Sequence, residues 1–142
     1  PGTHKDGVTF YDSYNDVLHT GDLLYAGRIQ IANDRDYVAS LTRLKDWAAT
    51  HSVKWVMGGH IDMMFVPGRS YPRFATFRPY EHVLELKPAL IDEALLHATR
   101  VAGQPGVAVH AEFALLNRVS PDEGVYRVSP EMPDIPVPTW LP

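Results

Sequence analysis

Three short stretches of this 142-residue chain lie at the edge of an apolar run and present a residue able to bind a metal ion or carry a proton. The central one is Leu18 to Gly27, LHTGDLLYAG, in which Val17 and Leu18 supply burial and Thr20-Gly21-Asp22 turns sharply to present one carboxylate. A polar side chain just past the end of a strand faces the kind of cleft in which sites form. The second stretch is Pro1 to Gly7, PGTHKDG, with His4 directly before the strand-like VTFYD. The third is VKWVMGGH, an apolar strand running into Gly58, Gly59 and His60. Imidazole nitrogens and a carboxylate oxygen are the donors a divalent transition metal takes, and glycine beside each of them lets the backbone close around an ion.

The elements that must position these residues follow from the pattern. Gly7 to Thr20 reads as a hairpin, VTFYD, the turn DSYND and VLHT, because Asp12, Ser13 and Asn15 form turns through their own side chains. Asn33 to His51 reads as a helix: Asn33 or Asp34 caps its start, and Tyr37, Leu41, Leu44 and Ala48 recur along one face. Val53 to Met57 follows as a strand, completing a strand-helix-strand unit. Pro88 opens a second helix through Val101. After the break at Gly103-Gln104-Pro105-Gly106, Val107 to Leu116 alternates as one closing strand. His19, His51, Asp62, His82 and His110 read as structural.

In order, these features resemble the metallo-β-lactamase-fold hydrolases: a PGH-like turn, a strand ending in an aromatic and an Asp, a hairpin, TGD, a helix, and an apolar strand ending in GH. The resemblance covers Pro1 to about His60. It implies that Asp22 bridges two metal ions and acts in catalysis, and that His60 completes the second ion. The family turn reads PGHT and this one Pro1-Gly2-Thr3-His4, which puts Thr3 at the usual ligand place. The role is carried to His4, because imidazole is a far better ligand than a neutral hydroxyl. The family's HxHxDH loop does not occur in this sequence, so residues 1–128 are expected to form the C-terminal half of an αββα four-layer sandwich, an α/β (α+β) fold.

What the resemblance implies for activity is a metal-dependent hydrolase. A hydroxide held between two divalent transition-metal ions, zinc first with iron or manganese as alternatives, attacks an ester, lactone, thioester, amide or phosphodiester. A di-iron redox protein on the same fold and a metal-free binding protein are the alternatives. The small-molecule substrate would meet Tyr25, which reads equally as a hydrogen-bond donor or as a cap on the core. It would also meet the long aromatic loop His60 to Leu86, where Arg69, Tyr71 and Arg73 are candidates to hold it. Arg28 reads as a surface arginine, with a substrate carboxylate as its alternative partner.

Composition sets the outer bounds. The chain is 45% apolar and 21% charged, which suits one globular domain. A net charge of −4 argues against a nucleic-acid partner, no stretch reads as a membrane span, and the absence of cysteine excludes disulfides and thiolate-zinc sites. Residues 129–142 carry five of the twelve prolines and read as an extended tail. The strands Val8 to Tyr11 and Val53 to Met57 are expected to pack against a partner, either the N-terminal half of the same protein or a second copy.

Overall fold

In the computed structural model, residues 1–72 and 75–120 are described. The Pro-rich tail and Arg73 lie outside them. Among the described residues the fold is mixed α and β, with two small sheets and two helices. One sheet has the order β1-β2-β4-β5, with β1 Phe10–Asp12, β2 Val17–Gly21, β4 Trp55–Gly58 and β5 Glu85–Leu86. The other has the order β3-β7-β6, from Arg28–Ile31, Ala114–Asn117 and Gly106–Val109. Helix α1 spans Asp34–Ala48 and α2 Leu90–Val101.

The expected hairpin forms, with Tyr11 opposite Leu18 and Asp12 opposite Val17. Its turn is held by the Asp12 carboxylate, which accepts from Tyr14 N at 2.9 Å and from Asn15 Nδ2 at 2.7 Å. The strand-helix-strand unit also forms: β2 and β4 are parallel neighbours, joined through β3 and α1. Asn33 caps α1, its side-chain oxygen accepting from Asp36 N at 3.0 Å. The helix stops at Ala48 rather than running to His51. His51 instead folds back over the helix end, with Nδ1 2.8 Å from Trp47 O and its ring stacked on Trp47 at 3.8 Å. Tyr37, Leu41 and Leu44 face the core as the spacing requires.

Val107 to Leu116 is not one strand. It is the antiparallel hairpin β6-β7, with Val107 opposite Leu116 and Val109 opposite Ala114. A period of two persists through a tight hairpin, so the alternation of apolar residues hides the turn. The turn is closed by His110 N donating to Phe113 O at 2.8 Å and by Glu112 N donating to His110 Nδ1 at 3.2 Å. Parallel pairing of β7 with β3 then brings Ala114 beside Arg28, joining residues far apart in sequence.

Asp34 ties these layers together at the first turn of α1. Its Oδ2 accepts from Gly103 N at 2.7 Å, from Arg118 Nη2 at 3.0 Å and from Asn117 Nδ2 at 3.3 Å. The Gly103 amide is the main reason that the carboxyl sits below its ordinary 3.8, and the Asn117 amide adds to it. A carboxyl depressed in the folded state stabilises the fold above its unfolded value. That contribution is lost as pH falls below 3.8 and through the lower folded value. Asp34→Asn is therefore expected to lower stability at neutral pH and to flatten the acid limb of a Tm-against-pH curve; an unchanged acid limb would contradict the coupling.

Of the two strands expected to await a partner, β1 and its approach do present apolar surface, with Val8 62% and Phe10 66% exposed. β4 is an inner strand between β2 and β5, with Val56 fully buried and Trp55 and Met57 partly exposed. No helix among the described residues is long and apolar enough to cross a membrane.

Candidate metal centre

Asp22 and His60 meet because β2 and β4 run parallel and end together. A register irregularity between His19 and Gly21 lets Thr20 turn its hydroxyl inward, where Oγ1 donates to Leu24 O at 2.6 Å. Gly59 N donates to Gly21 O at 2.8 Å, so the next residue on each strand, Asp22 on one and His60 on the other, leaves the sheet from the same point. Close approach is needed here: a Cβ at Gly58 would lie 2.1 Å from the Tyr25 Cβ. The turn carrying His4 is docked separately. Gly2 O accepts from Ala32 N at 2.8 Å and Asn33 N at 3.0 Å, and Ser40 Oγ donates to Pro1 O at 2.8 Å.

The result is one carboxylate between two imidazoles. His60 Nε2 lies 2.9 Å from Asp22 Oδ1, and His4 Nε2 lies 3.0 Å from Asp22 Oδ2. The side chains of His4 and His60 are 71% and 60% exposed. Contacts this open to water add little to stability, so the convergence is a poor structural brace. Among the described residues no group of three or more His, Cys, Asp or Glu side chains surrounds a single ion position. The geometry gives the reason: each imidazole addresses a different oxygen, so an ion on either side would take one nitrogen and one oxygen from this chain. The donor types fit a zinc-like cation, and their number fits half a coordination shell on each side.

Two concavities meet at His4 and Asp22. The smaller, about 200 Å³, is lined by Thr3, His4, Asp22, Tyr25, Arg28, Gln30 and His60. The larger, about 730 Å³, runs between the β1-β2 hairpin and α1 past Tyr11, Leu18, Leu44 and Trp47. Tyr25 packs edge-on against His60, with ring centroids 5.3 Å apart, and donates its hydroxyl to Arg28 O at 2.8 Å. Burial, with help from the Asp62 and Asp22 charges, pushes that phenol well above its ordinary value, so it is a neutral group fixing the His60 ring.

Of the loop candidates, the described Arg69 and Tyr71 do not line this recess. Tyr71 is buried, its hydroxyl accepting from Tyr80 N at 2.6 Å, and Arg69 lies in a turn whose carbonyl accepts from Met64 N at 2.9 Å. Met63, Met64 and Tyr71 are buried in this folded-back loop, Met63 as part of the main core, while Phe65 and Phe77 are exposed. The wall is supplied by β3 instead. Ile29 and Ile31 point into the core while Arg28 and Gln30 take the other face, an alternation visible in RIQI but too short to stand out. Arg28 is not a surface arginine: its side chain is 8% exposed and pairs with Asp62 Oδ2 through Nε at 3.4 Å. Comparison with protein-family models, curated proteins and solved structures finds no match for this chain.

Proposed function

We propose that this chain is the C-terminal half of a metallo-β-lactamase-like αββα sandwich and supplies one side of a binuclear metallohydrolase centre. The observation that carries the reading is the pair of Nε2 atoms on opposite oxygens of Asp22. Two divalent cations, zinc first, would be held by His4 and Asp22 on one side and by His60 and Asp22 on the other, and when bound they supply Lewis-acid activation of water and substrate.

The chain's own residues do the rest. Asp22 fixes the spacing between the two sides through one rigid carboxylate. Tyr25 holds the His60 ring, and the Asp62 amide, donating to Ala26 O at 2.9 Å, anchors the segment after it. The described residues offer two donors to each side, so further ligands would come from beyond them, with the N-terminal half of the protein or a second copy as the expected source. The exposed Val8 and Phe10 give that partner an apolar surface to cover. The substrate is a small molecule with a bond open to hydrolysis: ester, lactone, thioester, amide or phosphodiester.

The test is turnover of an ester and lactone panel by the intact protein before chelation, after it, and after zinc is restored. Activity lost with the metal and regained with zinc supports the proposal, and activity indifferent to chelation refutes it. The role of His4 is separable. His4→Ala is expected to lower zinc content, read by elemental analysis, more than Thr3→Ala does, and equal loss in the two variants would remove His4 from the site.

A further inference from the structure

We infer that Arg28 binds an oxyanion, a carboxylate or phosphate group carried by the substrate, in the recess beside Asp22; the substrate part of this rests on the hydrolase reading above. A guanidinium has five N–H donors and is rarely taken out of water without partners for them. Arg28 is taken out of water all the same, with only 8% of its side chain exposed. Asp62 meets it through a single oxygen, Oδ2, which accepts both Arg28 N at 3.0 Å and Nε at 3.4 Å. This is a side-on contact that leaves the two-pronged face of the guanidinium unused. Nη1 is buried and has no hydrogen-bond partner among the described residues.

Arg28 lines the small recess and carries an unfilled donor on a fixed cation, a combination suited to binding an oxyanion. The recess, about 200 Å³, has room for a carboxylate or phosphate group, and Gln30 adds an uncharged amide to the same wall. Asp22 lies in it too, so a free anion is repelled until cations or protons offset that carboxylate. Anion binding at Arg28 should therefore strengthen when zinc is present. The guanidinium would orient the substrate while the bond to be cleaved lies over Asp22.

The experiment titrates benzoate and, separately, inorganic phosphate into the intact protein labelled with ¹⁵N-arginine, with and without zinc. The expected result is saturable binding that shifts the Arg28 Nε–H resonance. Arg28→Lys, which keeps the charge and loses the fork, and Arg28→Gln should each weaken binding by about tenfold or more, with zinc content unchanged. Whichever probe binds more tightly names the anion class. Equal binding by wild type and both variants, or no binding by wild type, overturns the assignment. Failure of the hydrolase reading is distinguishable: anion binding at Arg28 in a protein that retains no zinc sinks that reading and leaves Arg28. Zinc-dependent hydrolysis in which Arg28→Lys leaves KM unchanged for an anionic ester and for its neutral counterpart sinks Arg28 and leaves the hydrolase.

Discussion

Asp22→Ala is expected to remove both of the proposed cations at once. No other residue among those described meets both imidazoles, because His4 and His60 lie against different oxygens of this one carboxylate. Loss of a partner outside the ligand shell commonly costs about 10–100-fold in metal affinity, and loss of a shared ligand should cost more than that on each side. The expected outcome is a drop from two zinc ions to fewer than one per intact protein, with hydrolysis falling to background. Asp22→Asn is the finer probe. An amide keeps one oxygen acceptor and replaces the other with a donor, so this variant should keep at most one ion. Elemental analysis with a melting curve separates the effect from unfolding: Asp22 is partly exposed and its removal opens no core cavity, so Tm in the metal-free state should move little. Two ions retained by Asp22→Ala would remove the bridging role.

Tyr37→Ala carries the largest expected cost to the fold. Tyr37 is fully buried at the centre of the core that α1 makes with the sheets. Truncating a buried aromatic costs about 3–5 kcal/mol, against a typical net stability of about 5–15 kcal/mol. The effect also reaches the site. The Tyr37 hydroxyl donates to Leu23 O at 2.9 Å, next to Asp22, and its backbone seats the turn carrying His4, since a Cβ on Gly2 would fall 2.4 Å from the Tyr37 Cα. Tyr37→Phe removes only the hydroxyl and should cost about 1 kcal/mol. Urea unfolding reads both. A loss below 1 kcal/mol for Tyr37→Ala would mean that the α1 packing described above is wrong.

Much of this architecture was legible because its signals are local. The Asp12 turn, the Asn33 cap and the spacing of Tyr37, Leu41 and Leu44 each lie within a few residues, and each specifies its element without reference to the rest of the chain. Asp22 and His60 were legible as chemistry for a similar reason, since each directly follows an apolar run. What the sequence hid was long-range. β3 is four residues long and becomes a strand by pairing with β7, more than eighty residues away, so neither it nor the burial of Arg28 shows locally. Residues 107–116 kept their alternation through the His110 turn and so read as a single strand. Arg69 and Tyr71 were attractive by type, but where a long loop folds back depends on contacts such as Met64 with Glu81 that no spacing rule encodes.

The most direct measurement is X-ray absorption at the zinc edge of the intact, zinc-supplemented protein, together with its metal content. The expected result is two ions, nitrogen and oxygen neighbours at about 2.0–2.2 Å, and a metal neighbour at about 3.5–4 Å that disappears in Asp22→Asn. Zinc that washes out after supplementation, or a single ion with no metal neighbour, would contradict it.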